Sequence, residues 1–361
     1  GDRRTDLIAG AWWFENPGAP GGSWVRRQLP QIGGVVAVLD ADGDGDADLL
    51  GTRGQGSDAN ADWLWLENGG AATWTVHDNV PSLGGNFVQG AVVADLVAGG
   101  SPEVAVSWHD EVAYGVHLFT IPADATAPWA VREISPYSQG EDLSAGDIDG
   151  DGDLDLLLGT AWLENPGGDG AWPAHTFAPA ADLPDRNDLV DVDGDGDLDA
   201  VVGYELATEI VWFERPDDPV AGAWQRHVIA SGVGYGFSMD VADLDGDGDI
   251  DVVLGEHKLE RRVLVFENLG AGAAWRQHVV DDDPGSYDHH AGTQVVDVMG
   301  NGVLAIASVG WNHHDVLLYV RTPGHYTSLP EIAFWPGPEL TFGAYGRPQD
   351  RVTVLGRVSG D

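Results

Sequence analysis

The sequence predicts an all-β chain, a seven-bladed β-propeller of four-stranded antiparallel blades whose ring is closed by the C-terminal strand. Three recurring signatures carry that expectation. One nine-residue acidic loop, D-x-D-G-D-G-D-x-D, appears four times, beginning at Asp40, Asp147, Asp191 and Asp243. A second signature recurs out of phase with it: WFENPG at Trp13, WLENGG at Trp65, WLENPG at Trp162, WFERPD at Trp212 and VFENLG at Val265, with weaker copies HLFTIP at His117 and LYVRTP at Leu318. Each copy is followed by an aromatic that leads into an alternating run, at Trp24, Trp74, Trp129, Trp172, Trp224, Trp275 and Tyr326. Seven copies spaced about fifty residues apart have the period of propeller blades.

One unit shows how the strands are read. SMDVAD from Ser238 enters the loop at Asp243, and IDVVLG from Ile250 leaves it. RVLVFEN from Arg262 is the third strand, and WRQHVV from Trp275 comes after an NLGAG turn as the fourth. Short apolar runs bounded by Gly, Pro and Asp are strand signals, and no stretch sustains a helical period. The first unit starts at GDRRTDL and lacks its first strand. The tail, with apolar runs at 340–345 and 352–358, comes after the seventh hairpin. It is expected to supply the missing strand, which closes the ring and removes exposed edges. The repeat consumes the chain, so residues 1–361 are expected to form one domain.

Each acidic loop offers carboxylates at positions 1, 3, 5 and 9, a glycine at position 6 for a sharp turn, and a carbonyl at position 7. That is the oxygen-rich set a hard cation such as Ca²⁺ requires, in the order of an EF-hand loop. Each loop leads into a short β-type run (LLG, LLLG, AVVG, VVLG) and not into a helix. Five aspartates in nine residues repel one another without a cation. The candidate ligands are Asp40, Asp42, Asp44, Asp46 and Asp48; Asp147, Asp149, Asp151, Asp153 and Asp155; Asp191, Asp193, Asp195, Asp197 and Asp199; and Asp243, Asp245, Asp247, Asp249 and Asp251. About four Ca²⁺ sites are expected. Two units depart from the pattern. DLVAGGSPE keeps Asp95 and Glu103, DVMGNGVLA keeps Asp297 and Asn301, and both turns are expected to be metal-free.

These loops and the WFEN and W-x-x-H pieces resemble the FG-GAP/VCBS repeat family, whose relatives include the integrin α-subunit propeller. The likeness covers essentially the whole chain and implies the propeller fold. A weaker, partly architectural likeness joins it to the propellers of aldos-2-ulose dehydratase and of propeller-type polysaccharide lyases. The family hosts adhesion, lectin and enzyme functions, so the activity has to come from the site.

The net charge of −42 narrows the partners. Four bound divalent cations would still leave −34, so nucleic acid is excluded for want of a basic face. Anionic membranes are disfavoured on the same ground. The chain has one lysine, Lys258, against sixteen arginines, which suits a saline habitat or a GC-rich genome. It has no cysteine, so disulfides play no part. Extracellular calcium at millimolar level would fill sites of this type, so a secreted monomer is expected. No signal peptide or membrane-spanning run is visible, and the chain begins at Gly1 as a processed one would.

If the acidic loop joins the first two strands, it lies on one face of the ring. The connections before the first strand and after the second then lie on the opposite face, nearest the axis. There the seven segments after the second strand read AGAWW, GTRGQGSD, SWHDEVAYG, GTAW, GYELATE, GEHKLERR and SVGWNHHD. The segments before the first strand include GGNFVQG, SQGEDLS, PDRNDLV, GVGYGFS and YDHHAGT. His77, His175, His227 and His278 belong to the W-x-x-H signature and read as blade packing. His109, His257, His289, His290, His313 and His314 remain. Of these, His257, His289 and His313 come from the last two blades and could hold a second metal, a transition metal such as Zn²⁺. His257, His289, Tyr235 and Arg186 are candidate catalytic groups, Arg186 because a guanidinium matches a carboxylate fork. Trp108, Trp311, Tyr204 and Glu256 are candidate substrate-binding groups, the aromatics as platforms for a sugar ring or as plugs of the channel. Because these residues differ between blades, they define one asymmetric site. The expected activity is on carbohydrate, by lyase- or dehydratase-type β-elimination, which needs a base, a cation and an aromatic wall. The alternative is a non-catalytic carbohydrate-binding or adhesion module. No G-x-S-x-G elbow, HExxH helix or phosphate loop is present.

Overall fold

The computed structural model describes residues 4–18, 22–54, 62–83, 88–109, 115–282, 288–289, 292–310, 315–321, 334–336 and 340–341. Among them every regular element is a strand, and the strands form seven antiparallel blades. Blade 1 holds β1 (Leu7–Ala9), β2 (Trp12–Glu15) and β3 (Val25–Gln28). Blade 2 holds β4 (Gly34–Leu39), β5 (Asp48–Thr52), β6 (Trp63–Asn68) and β7 (Trp74–His77). Blade 3 holds β8 (Val88–Ala94), β9 (Glu103–Trp108), β10 (Val116–Thr120) and β11 (Ala130–Ser135). Blade 4 holds β12 (Ser144–Gly146), β13 (Asp155–Leu157), β14 (Ala161–Leu163) and β15 (Ala174–Thr176). Blade 5 holds β16 (Pro184–Val190), β17 (Asp199–Tyr204), β18 (Glu209–Glu214) and β19 (Gln225–Ser231). Blade 6 holds β20 (Ser238–Ala242), β21 (Asp251–Gly255), β22 (Val263–Asn268) and β23 (Trp275–Asp281). Blade 7 holds β24 (Gly292–Val296), β25 (Ala305–Val309), β26 (Asp315–Arg321), β27 (Phe334–Pro336) and β28 (Leu340–Thr341).

Strands pair with their chain neighbours in each blade, so the first-to-second and third-to-fourth turns share one end of the ring. The core is divided among the blade interfaces. Among the described residues seven apolar clusters occur, each built from two neighbouring blades. Both faces of a blade are therefore covered. This explains why β5, β9, β17, β21 and β25 read as unbroken apolar runs and are buried at every position. The outer strand β23, with one edge in water, has no fully buried position and mixes half-buried with exposed residues instead.

The ring closes through side chains of blades 1 and 7. Leu7, Ala9 and Phe14 pack against Val298, Ala305, Ala307 and Leu318. Asn16 Nδ2 donates to the Val298 carbonyl at 2.5 Å, and Thr5 Oγ1 donates to the Asp297 carbonyl at 2.9 Å. The C-terminal strand was expected to close the ring, but the described part of the tail lies elsewhere. Leu340–Thr341 pairs with β26 of blade 7, beside β27, and not with β1. Tyr326 and residues 342–361 lie outside the described residues, and blade 1 has three strands among those described.

The Asn of the WFEN signature is the recurring clamp. Asn165 Nδ2 donates to Leu96 O at 2.8 Å and Asn268 Nδ2 to Val192 O at 3.1 Å, each reaching a loop of the preceding blade. The Glu of the same signature meets the W-x-x-H histidine across the outer strand pair: His77 with Glu67 at 2.7 Å, His175 with Glu164 at 2.6 Å and His278 with Glu267 at 2.5 Å. His77 also stacks on the signature Trp65 at 4.2 Å, as His227 does on Trp212 at 4.3 Å. These histidines are thus blade-edge residues, and His227 with Glu214 at 2.9 Å completes the set of four read from the sequence.

Asn268 is fully buried, and its carbonyl also accepts from Gly270 N and Gly272 N. Asn268→Ala is expected to lower the unfolding free energy by ~1–3 kcal/mol, because buried donors and acceptors lose their partners. Asn68→Ala should cost less, since Asn68 Nδ2 donates to Ala47 O of its own blade. Urea titration of both variants checks this, and a parent-like midpoint for Asn268→Ala would refute the clamp.

Candidate metal loops and axial-face site

The four acidic loops fold alike. The position-1 carboxylate accepts from the backbone N–H groups of positions 4 and 6, as in Asp147 with Gly150 at 2.8 Å and Gly152 at 3.1 Å. Positions 4 and 6 need positive φ, 79° and 99° in this loop, which is why both are glycine. Each position-9 aspartate is buried and ties the loop to the third strand. Asp251 Oδ2 accepts from Leu244 N and Oδ1 from Asn268 N, both at 2.9 Å. Ligand atoms of positions 1, 3 and 9 lie within 4.8 Å of one another in every loop: Asp40, Asp42 and Asp48; Asp147, Asp149 and Asp155; Asp191, Asp193 and Asp199; Asp243, Asp245 and Asp251.

Positions 5 and 7 were also expected as ligands, but they stand outside these groups. Position 5 accepts instead from the position-7 N–H, as Asp247 does from Asp249 at 2.9 Å. Asp197 at position 7 pairs with Arg215. Three convergent carboxylates fit a divalent cation, and Asp245 Oδ2 is buried without a partner among the described residues. The two divergent turns keep the framework by other means. Glu103 Oε2 accepts from Leu96 N and Val97 N, both at 3.1 Å, and Asp297 Oδ2 accepts from Gly302 N at 2.7 Å.

Burial pushes the Asp155, Asp199 and Asp251 carboxyls up to about 7 and Asp48 up to about 6, against the backbone N–H bonds that pull them down. The unfolded chain would release these protons near 3.8. Protonation therefore stabilises the metal-free fold at low pH, and that stability is lost as pH rises through about 6 to 7. After dialysis against chelator the melting temperature should fall between pH 5 and pH 8. Calcium should suppress that fall, because a ligand of the native state takes the proton's place. Chelated and calcium-loaded melting curves that coincide at pH 8 would refute cation binding by these loops.

The opposite face joins the loops after each second strand to those before each first strand. Glu205 N donates to Leu183 O at 2.8 Å, Lys258 N to Gly234 O at 3.0 Å and His289 N to Glu256 O at 3.0 Å. Blades 6 and 7 build the richest corner. His257 Nδ1 lies 3.0 Å from Oδ2 of Asp288, a fully buried carboxylate that fixes the ring. The same imidazole meets Phe237 edge-on at 5.0 Å. Tyr235, held at φ 70°, lies 6.3 Å from Phe237. The Lys258 ammonium sits 4.9 Å above the Tyr235 ring and 5.6 Å from Phe237.

Other expected site residues are engaged in the framework. His289 is 1% exposed, and its Nδ1 is 2.8 Å from Ser308 Oγ, so it lies within the wall of the site. Glu256 is fully buried and accepts from Gly234 N, Arg262 N and the Arg262 guanidinium. Trp108, 1% exposed, packs edge-on against Trp63 at 6.3 Å and donates to His117 Nδ1, so its ring offers no face to a sugar. Tyr204 is buried between blades 4 and 5. Arg186 is held by Asp185 at 2.5 Å, with Glu141 at 3.9 Å. Trp311, His313, His290, His314 and Asp110 lie outside the described residues. Among the described residues only the four aspartate groups bring three metal-ligating side chains together.

Two features escape sequence reading. His109 Nδ1 meets Glu141 Oε1 at 2.6 Å, a second imidazole–carboxylate pair on this face. The hydrogen bond to Glu141 raises the imidazole, and burial raises the Glu141 carboxyl. Six residues separate Glu103 from His109 and Asp251 from His257, so both histidines occupy one register. That spacing was the available signal. Carboxylates also crowd the inner strands. Burial raises Asp142, raises Asp188 well above its ordinary range, and pushes Asp240 up to about 6. Asp240 Oδ2 accepts from Val295 N of blade 7 at 2.6 Å.

Two solved structures share the fold. A candidate 6-phosphogluconolactonase from Bacteroides fragilis superposes with a TM-score of 0.58 at 13% identity, covering 89% of this chain and 92% of that one. A candidate 6-phosphogluconolactonase from Bacteroides uniformis gives 0.58, 13%, 89% and 93%. The V. cholerae biofilm matrix protein Bap1 gives a TM-score of 0.37 at 13% identity, over 89% of this chain and 68% of that one. No curated protein matches the chain. Residues 191–254, the loop of blade 5 through β21, match the FG-GAP-like repeat. With that loop repeated in blades 2, 4, 5 and 6 and the blades closed into a ring, the chain is a seven-bladed β-propeller that carries an FG-GAP-like repeat.

Proposed function

We propose that this protein is a secreted, calcium-binding propeller that acts on carbohydrate at the corner of blades 6 and 7, by lyase- or dehydratase-type β-elimination. The observation that carries this reading is the imidazole of His257, fixed by buried Asp288 and met edge-on by Phe237, which in turn neighbours Tyr235 and Lys258. An imidazole held through Nδ1 by a carboxylate presents Nε2 as a base. The base takes the proton α to a carbonyl or carboxylate. The released electron pair forms the carbon–carbon double bond as the β C–O bond breaks, and the leaving oxygen takes a proton from the Tyr235 phenol. The balance needs neither oxidant nor water.

The aspartate loops would hold Ca²⁺ on the other face, where its effect is to neutralise the carboxylates and rigidify the turns. The likeness to solved structures supports the fold and nothing about the substrate. A non-catalytic sugar-binding role is the competing reading, and it is decided by turnover. His257→Ala is expected to lower kcat by about a hundredfold to ten-thousandfold, the usual worth of a general base, with the calcium-loaded melting curve unchanged. His257→Gln, which keeps bulk without a base, should behave the same way. Formation of a conjugated enoate from acidic polysaccharides, monitored by ultraviolet absorbance, is the assay. Sugar binding without turnover in the parent would establish the binding-module reading, and full turnover in both variants would refute the role of His257.

A further inference from the structure

Lys258 is the chain's only lysine, in a molecule of net charge −42. Three cations elsewhere on its face are neutralised internally. Arg186 is held by Asp185, Arg262 by Glu256 and Glu260, and Arg53 by Asp78. Lys258 differs. Among the described residues no carboxylate pairs with it, and its contacts are the faces of Tyr235 and Phe237. A ring face orients an ammonium without cancelling its charge, which leaves its hydrogen-bond donors for another acceptor. The backbone supports this placement: Lys258 N is bonded to Gly234 O, one residue before Tyr235. A side chain added at Gly234 would collide with the Lys258 carbonyl at 2.0 Å, so the two loops can meet only with glycine there.

With so many carboxylates available to pair with Lys258, its contacts with aromatic rings alone leave room for an anion from outside. That ammonium lies beside the ring system that carries the His257–Asp288 pair. We infer that the sugar acted on here is acidic, and that Lys258, oriented by the Tyr235 ring, receives its carboxylate while His257 faces the adjacent carbon. The inference rests on the reading of this corner as the reactive site. It also supplies what the elimination requires. An ammonium on the carboxylate stabilises the negative charge that develops there when the α-proton leaves, and so acidifies that proton. Arg186, expected from sequence to take this part, is occupied by Asp185. A neutral sugar would leave Lys258 without its counter-charge. The surrounding acidity repels an anion at long range, so affinity depends on this one short contact and should rise, not fall, with moderate salt.

The test is calorimetric binding of D-glucuronate, D-glucose and glucose 6-phosphate to the calcium-loaded protein, with turnover of acidic and neutral polysaccharides alongside. Glucuronate is expected to bind more tightly than either other sugar. Lys258→Met should weaken glucuronate about tenfold to a hundredfold, the usual worth of a charged hydrogen bond, and leave glucose unchanged. Lys258→Arg should restore part of the loss. Lys258 is exposed, so each variant should melt with the parent. Glucose bound as well as glucuronate, or glucuronate unaffected by Lys258→Met, would overturn the inference while His257→Ala still abolished turnover. Tighter binding of glucose 6-phosphate would overturn the carboxylate assignment. Loss of turnover in neither His257 nor Lys258 variants would refute the site itself.

Discussion

The buried aspartate that ends each acidic loop holds the blade together. In blades 2, 4, 5 and 6 one carboxylate oxygen accepts from the loop and the other from the end of the third strand: Asp48 from Ala41 N and Asn68 N, Asp155 from Ile148 N and Asn165 N, Asp199 from Val192 N and Arg215 N, Asp251 from Leu244 N and Asn268 N. A carboxylate placed there without those N–H groups would carry a large desolvation cost. With them it fixes the turn, sets the third strand against it, and offers its remaining lone pairs to a cation. Blade 1 shows how far this goes, for there Asp6 accepts from Asn16 N and Trp13 Nε1 in the same way. Asn16 then reaches blade 7, so the same junction that builds a blade also closes the ring.

The seven interfaces explain the composition. Every blade buries two faces, so its middle strands need apolar side chains at consecutive positions, while exposed polar residues gather in loops and on outer edges. The strong negative charge gathers on the turns of one end and along the inner strands. In that field a cation is conspicuous. Arginines are absorbed by local carboxylates, among them Arg27 by Glu15, Arg226 by Glu209 and Arg276 by Glu267.

The fold was legible in the sequence because each signature does one local task. The loop spacing encodes the turn, WFEN encodes the third strand and its clamp, and W-x-x-H encodes the outer edge. The site was only partly legible. His257 was found because it breaks the repeat, yet its partner Asp288 lies thirty-one residues away in the next blade's approach, a distance no local pattern spans. Trp108, Glu256 and His289 also break the repeat, but folding turns them inward, where they fill or pin the wall. Residue type told which groups could act; only packing told which were already engaged. The edge that the described part of the tail joins was not legible for the same reason. Its apolar runs signal strand formation but not which edge they join, and β26 offered one to Leu340–Thr341.

A repeat protein makes a single site by holding one register constant and letting another vary. Position 9 is Asp or Glu in six blades: Asp6, Asp48, Glu103, Asp155, Asp199 and Asp251. Six residues further on, at the opposite face, the same blades carry Trp12, Gly54, His109, Ala161, Glu205 and His257. The first position is bound by the backbone it must satisfy, so its chemistry cannot change without loss of the turn. The second lies beyond the strand, where loops meet in pairs, and its side chain is free of that duty. Two of the six are histidines, and each meets a carboxylate from the next blade's approach: Glu141 for His109 and Asp288 for His257. Among the described residues the second alone has an aromatic pair and an ammonium beside it. Among the described residues the ring thus presents two copies of one dyad but surrounds just one with aromatic rings and an ammonium, which is how a nearly symmetric scaffold yields an asymmetric corner.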